Sequence, residues 1–492
     1  MKNTLYIDNL VVRRTMTMKK LVTLTLLLTV FAAVKAQTGY SIAVTLKPFK
    51  NSKVYLGYYY GTKKALADSA ILDQNSKGVF KGKKALPGGI YFVVSPRMEI
   101  LFELLLDKQQ QFQVSADTAK IPASIVFTNS PENSLFSRYS KFAGEAGLKS
   151  VQIGQQLALA NAADSVKLIE ERKKIAESVD KFRDSIIKKN PQALLATLFK
   201  AMRDPVIPPA DKHPGGKYDS VYAYNYYKSH FWDGISFYDE RLIRTPFLEN
   251  KLNRYFRELV VPAPDSLIKE VDRIVVYSRA NDETFKYYMV YFVQKYINPE
   301  YMGQDAVFVH LFEKYINTGH TNFFTKQYMD FMTKRAYSLM ANLIGQPAAN
   351  LEMVDTTDHP LPLYAVQAPL TVVCFWDPTC SHCKETVPRV DSMYKAKWKA
   401  LGVAIYGVMT DGGKDNWKEF IQKHDLSGWY HVYQTPAKAA EIEAANKPGY
   451  KQLYDVYQTP ILYLLDKDKR IVAKKLSYDQ LDEVITLKLK SK

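Results

Sequence analysis

The hydrophobic pattern of this 492-residue chain changes period twice, and those changes restrict it to a fold built from three kinds of layer. From about Tyr40 to Phe127 short stretches alternate apolar and polar residues. "YSIAVTL", "KVYLGYYY", "IYFVVS" and "FQVSA" are separated by turn clusters such as "KGKK" and "LPGG". A period of two sends every other side chain to one face of a strand, so this segment predicts an N-terminal antiparallel β-sandwich. From about Pro131 to Ile344 the period becomes helical. Ile175, Val179, Phe182 and Ile186 share one stripe, and Leu267, Val271, Ile274 and Ser278 another. No fixed repeat length marks a solenoid, so the segment reads as a central all-α domain of antiparallel helices.

Local signals refine that helical region. Asn190-Pro191 predicts a cap and first position for a helix over "QALLATLFKAM", and Asn281 a cap for "DETFKYYMVYFVQKYI". "DPVIPPADKHPGG" (204 to 216) predicts a loop, with His213 at the surface and not a ligand. Tyr224, Tyr226 and Tyr227 could line a groove, but helix packing accounts for them more simply. After a connector, "GQPAANLEMVDTTDHPLPLY" with one short strand, strands and helices alternate to the end, a helix ending near Tyr457 among them. Parallel β-α-β, then an antiparallel hairpin and a last helix, predicts a C-terminal α/β domain. The expected division is 1–36, 37–130, 131–344 and 345–492.

Residues 1–36 read as a secretory signal peptide. Lys19 and Lys20 precede the apolar run Leu21–Val34, and Ala36 closes it with Val34 two places before. A membrane span needs about 20 apolar residues, and this run has 14. Cleavage is therefore expected after Ala36, placing the mature protein in the periplasm, and Met18 is a fitting initiator. Residues 1–36 carry six basic side chains and one acidic, so their removal lowers the formal charge by five, from +17 to +12. The remaining basic residues are scattered, without an arginine-rich, aromatic-interleaved block, which argues against nucleic acid as a partner.

Three cysteines are too few for a disulfide framework in a chain of this size, and all lie within "VVCFWDPTCSHCKETVPRV". A closed zinc site needs a second ligand pair, and none follows Cys380 and Cys383. Covalent haem attachment needs histidine after the second cysteine, and residue 384 is Lys. No metal or cofactor is therefore expected. A disulfide closing so short a ring contributes only about 2 kcal/mol of chain-entropy stabilisation, little for a structural staple. Reversible redox chemistry suits it better. Cys380 is expected where a strand ends and a helix begins, where free N–H groups and the helix dipole favour a thiolate. His382 between the pair adds a donor or a positive charge. Cys380 is then the nucleophile and Cys383, one turn in, the resolving thiol. Cys374 reads as a small buried hydrophobe in a strand; the alternative is a third redox thiol pairing with Cys380.

On the cysteine pair together with Trp376, Pro388 and Thr459-Pro460, residues 345–492 resemble the thioredoxin superfamily, and within it the TlpA-like thiol-disulfide oxidoreductases of the bacterial periplasm. Trp376 stands four before the first cysteine, Pro388 five after the second, and Thr459-Pro460 just before "ILYLLDKD". The resemblance implies that Trp376 lies beside the active site, that Pro388 kinks its helix, and that Pro460 is a cis-proline facing the disulfide. Backbone at Thr459 and Pro460 would then pair with a client segment as an added strand. Two positions depart from the pattern. Cys374 stands where cytoplasmic members keep a buried acid, and Glu385 is two after Cys383 where TlpA-like proteins have Glu at three. The base for Cys383 is thus open, with water or His382 as candidates. Residues 37–344 resemble, more loosely, β-rich and helical domains of unknown role that precede such modules in long secreted bacterial proteins.

The resulting expectation is a periplasmic enzyme that reduces disulfides of exported proteins through a Cys380–Cys383 cycle. Its partners would be cysteine-containing exported proteins and a membrane or periplasmic electron donor. Two alternatives stand beside it. One is a disulfide oxidase or isomerase, since such proteins span about 150 mV, about 7 kcal/mol for two electrons. The other is a binding or assembly protein whose thioredoxin module is accessory or vestigial.

Overall fold

The first eight strands, with burial alternating in β1 and β7 and continuous in β5, are β1 Tyr40–Lys47, β2 Lys53–Tyr60, β3 Lys63–Ile71, β4 Lys77–Gly82, β5 Gly89–Val94, β6 Ile100–Leu106, β7 Gln111–Asp117 and β8 Val126–Thr128. They pair as two four-stranded sheets, β4-β1-β7-β8 and β3-β2-β5-β6. Val44 of β1, Leu56 of β2, Leu104 of β6 and Val114 of β7 belong to one buried core shared by both sheets, which makes the β-sandwich. One pair departs from the antiparallel expectation: β1 and β7 run parallel, with Val44 opposite Val114. Parallel neighbours require a crossover instead of a hairpin, and between β1 and β7 the chain runs through all four strands of the other sheet and through β4.

The computed structural model describes residues 39–490, so the signal-peptide reading, Ala36 and Met18 lie outside the described residues. Described residues fall into two compact units, one ending at Tyr255 and the other starting at Phe256. Between the sandwich and the C-terminal sheet the chain is helical: α1 Pro131–Leu157, α2 Ala162–Lys189, α3 Leu194–Met202, α4 Ser220–His230, α5 Glu240–Ile243, α6 Leu248–Glu258, α7 Pro264–Ser278, α8 Asp282–Tyr296, α9 Asp305–Leu311 and α10 Lys326–Met340. The α7 stripe is buried at Leu267, Val271, Ile274 and Ser278. Asn281 caps α8, its side-chain oxygen accepting from the N–H groups of Glu283 and Thr284, each at 3.0 Å.

Two local expectations change. Asn190 ends α2 instead of starting α3, donating its N–H to Ile186. The next helix begins only at Leu194, and its free N–H at Leu195 is met by the Glu132 carboxylate at 2.8 Å. A cap supplied from across the unit leaves no local sequence signal. His213 is buried and not at the surface, with 4% of its area exposed. Its Nδ1 accepts from the Asp219 N–H at 3.0 Å and its Nε2 faces the Pro208 carbonyl at 2.8 Å. The imidazole therefore closes the proline-rich loop by pairing with a backbone carbonyl before it and a backbone N–H after it.

The C-terminal module holds β9 Val354–Asp355, β10 Leu370–Trp376, β11 Ala404–Met409, β12 Tyr430–Tyr433, β13 Ile461–Asp466 and β14 Ile471–Lys474. Its helices are α11 Ser381–Met393, α12 Lys414–Lys423, α13 Pro436–Ala444, α14 Tyr450–Leu453 and α15 Tyr478–Lys490. The sheet order is β14-β13-β10-β11-β12-β9. β10, β11 and β12 are parallel, while β13 runs antiparallel to β10 and β14 to β13, a thioredoxin-like arrangement. Every residue of β10 is buried, as expected of a strand covered on both faces. Val372, Cys374 and Trp376 pack toward α11 and α15, and Val373 and Phe375 toward α14 and the connector. The helix expected to end near Tyr457 is two pieces, α13 and α14, because Pro448-Gly449 lies between them. Within the same unit, Lys474 of β14 is buried against Asp305 of α9 at 2.5 Å and the Asn342 side-chain oxygen at 2.6 Å. With the Asn342 backbone carbonyl at 2.7 Å as the third acceptor, every proton on that ammonium is spoken for, the condition under which a buried charge is tolerated.

Candidate active site

β10 ends at Trp376, and the three residues after it turn the chain into α11. Asp377 organises the turn, its carboxylate accepting from the Thr379 N–H and hydroxyl, each at 2.7 Å. Its carbonyl accepts from the Cys380 N–H at 3.2 Å. Cys380 takes the N-cap position with extended backbone, φ −68° and ψ 128°. Its carbonyl receives the first helical bond, from the Lys384 N–H at 3.0 Å. A sulfur thus stands where an oxygen cap usually does, facing unpaired N–H groups at the positive end of the helix dipole.

The two thiols of the pair differ because their surroundings differ. Cys383 is fully buried, and that burial pushes its thiol up to about 12, although the Asp377 N–H donates to its sulfur at 3.4 Å. Cys380 is partly exposed. Desolvation is the largest single influence and raises the thiol, but the Cys383 N–H, the Thr459 side chain, the Cys383 thiol and the His382 N–H together outweigh it and hold the thiol below its ordinary value. The Cys380 thiol also reaches the Thr459 carbonyl oxygen at 3.5 Å. All three cysteines are free, and Cys374 is completely buried, its thiol raised by desolvation and then by the neighbouring Cys383.

Cys380, Cys383, Thr459 and Pro460 come together, the last across a cis peptide bond. Trp376 is fully buried in the core that holds Cys383, its ring centroid 5.1 Å from that of Phe420. Pro388 lies inside α11, where it cannot donate to the Lys384 carbonyl. His382 is exposed, and its backbone N–H, more than its ring, acts on Cys380. Glu385 is likewise exposed on α11.

Three positions escaped the sequence reading. Asp377 carries the turn; its signal was the Asp-x-Thr spacing of an Asx-type turn. Gly412 has φ +92°, and a Cβ there would lie 2.4 Å from the Asp377 carboxylate and 2.9 Å from the Pro378 ring. The "DGGK" cluster hinted at a turn but not at this close approach. His431 lies in the same row across the sheet as Cys374, with Gly407 between them. Burial pulls its imidazole down to about 4, so it stays neutral, and Nε2 faces the Leu426 carbonyl at 2.7 Å. His431 Nδ1 and Trp376 Nε1 are buried without a partner among the described residues. Each lies 3.4 Å from where a Gly407 Cβ would stand.

Comparison with known proteins matches three separate stretches of the chain. Residues 344–474 match the AhpC/TSA family, residues 162–338 a domain of unknown function (DUF5106) and residues 40–136 another (DUF4369). No curated protein matches. Among solved structures, a domain of a possible thiol-disulfide isomerase from Cytophaga hutchinsonii is 36% identical, over 30% of this chain and 95% of that one, at TM-score 0.27. A thioredoxin-like protein from Bacteroides caccae is 18% identical over 58% of this chain and 99% of that one, at TM-score 0.44. The thioredoxin domain of a Bacteroides vulgatus thiol-disulfide oxidoreductase is 25% identical over 29% and 97%, at TM-score 0.25.

Proposed function

From the premise that residues 344–474 are a thioredoxin-like domain of the AhpC/TSA family, we propose that the protein is a thiol-disulfide oxidoreductase that reduces disulfides of exported proteins. One observation carries the reading: a partly exposed sulfur with a lowered pKa at the start of α11, a buried thiol one turn inward, and the Thr459 carbonyl alongside. The Cys380 thiolate attacks one sulfur of a client disulfide, forming a mixed disulfide and releasing the other client sulfur as a thiolate. Cys383, once deprotonated, attacks the Cys380 sulfur and releases the second client thiolate. Two client thiols and a Cys380–Cys383 disulfide result, and a dithiol donor returns the two electrons. Thr459 and Pro460 offer the edge on which a client segment is held. Trp376, Pro388 and His382 shape the surroundings of the sulfurs.

The lowered Cys380 thiol also favours the reduced form, and the same residues run in reverse in an oxidase. Insulin reduction by the wild type and by Cys380→Ser tests catalysis by this pair. Activity untouched by the substitution would leave the module accessory to a binding protein. Replacing Cys383 by Ala should accumulate a mixed disulfide on Cys380 with the client. We place the protein in the periplasm, its leader removed after Ala36. Cell fractionation with N-terminal sequencing of the mature chain tests this, and a mature chain starting at Gln37 is the expected result.

A further inference from the structure

Beside the active site lies a cavity of about 680 Å³, walled by Phe331, Lys334 and Arg335 of α10 on one side and by Pro460, Tyr457 and Lys475 on the other. We infer that this cavity selects clients whose disulfide is flanked by an acidic side chain next to an apolar one, and that α10 supplies the selectivity. The inference rests on the redox reading above and adds to it a substrate class.

Position comes first. Pro460 lines the cavity and follows Thr459, whose carbonyl lies 3.5 Å from the Cys380 sulfur. A segment held there would enter the cavity within a residue or two of the cysteine under attack. A volume of about 300–1,000 Å³ suits a drug-sized ligand, hence a few extended residues and not a folded surface.

Charge comes second. Asp455 forms ion pairs with both Arg335 and Lys475 and is 1% exposed at its side chain. These two cations therefore serve one anion, and Lys334, exposed on α10, adds a third cation to the same wall. Among the charged residues lining the cavity, three are basic and one is acidic, so a client carboxylate is favoured there and a lysine is disfavoured.

The rim is aromatic. Phe331 is 48% exposed and Tyr457 is 74% exposed, both large rings left facing solvent at the mouth. Covering them with an apolar client side chain removes that area from water. Acid and apolar recognition together give the client class, and both come largely from a helix upstream of the thioredoxin-like sheet.

The test uses the full chain and two short synthetic peptides. Each carries one cysteine as a mixed disulfide with 2-mercaptoethanol, flanked by Glu and Phe in one and by Lys and Ser in the other. The wild type should reduce the Glu-Phe peptide with kcat/KM about tenfold higher, a preference that shrinks with salt. Lys334→Glu, which leaves two cations against two anions, should abolish the charge component and Phe331→Asn should weaken the apolar component, while the folded state of each is checked by circular dichroism. Equal rates on the two peptides overturn the inference and leave the redox reading standing. So does a preference that neither variant changes. Failure of the wild type to reduce either peptide faster than Cys380→Ser overturns the redox reading, and the inference falls with it.

Discussion

The Cys380 sulfur and the Thr459 carbonyl oxygen lie 3.5 Å apart although 79 residues separate them in the chain. The antiparallel pairing of β10 with β13 brings them together. Phe375 stands opposite Ile461, so the loop leaving β10 and the loop entering β13 emerge side by side at one end of the sheet's strands. The helix start positions one partner, the strand register positions the other, and neither alone makes a site.

Alkylation should follow the order of the thiols. Thiolate is the reacting form, and a lowered pKa keeps more of it at a given pH, so Cys380 reactivity should persist below the ordinary thiol range and fall only as pH drops through its lowered value. Cys383, pushed up to about 12, should stay unlabelled at neutral pH, and buried Cys374 likewise. Iodoacetamide labelling of the reduced protein across pH, mapped by mass spectrometry, checks this. Labelling of Cys383 ahead of Cys380 contradicts it.

Asp377→Ala removes the carboxylate that ties the Thr379 N–H and hydroxyl into the turn before Cys380. The cost in stability should be about 1 kcal/mol, typical of a lost cap. Activity should suffer more, by about tenfold to a hundredfold in kcat/KM, because the turn aims both sulfurs. Denaturant melts beside insulin-reduction kinetics separate the two effects. A variant as active as the wild type would show that the turn holds without its carboxylate.

Gly412→Ala should damage the same turn from outside. The new methyl meets the Asp377 carboxylate at 2.4 Å and the Pro378 ring at 2.9 Å, at a φ of +92° that side chains avoid. A destabilisation of about 1–3 kcal/mol is expected. Gly413, with φ +84° but open space around it, is the control: its alanine variant carries the backbone strain without the clash. Equal melting points for the two variants would argue against the close approach.

Asp455 gives the module a pH dependence. Desolvation raises its carboxyl, but Lys475 and Arg335 outweigh that and hold it below the ordinary aspartate value of 3.8. An acid lowered in this way stabilises the fold above its unfolded value, and the contribution drains away as pH falls through the folded value. Asp455→Asn should therefore lose about 3–5 kcal/mol near neutral pH, and its gap from wild type should narrow in acid below 3.8. Urea titrations at both ends check it. A gap constant with pH would remove Asp455 from this role.

What could be read from residue order was whatever depends on near neighbours in the chain. Period-two and helical stretches marked the sandwich and the helices, because side-chain direction follows backbone geometry residue by residue. The cysteine pair at a strand-to-helix junction was legible for the same reason, as was the Asn281 cap. Tertiary structure alone decided the rest. It set the parallel pairing of β1 with β7, the distant Glu132 carboxylate that serves the start of α3, and the burial of His213. It also set Gly412 against Asp377 and α10 against the cavity beside Pro460. All but the burial of His213, which closes a short loop between Pro208 and Asp219, join groups far apart in the chain, and such contacts depend on how whole elements pack, which no local pattern of residues encodes.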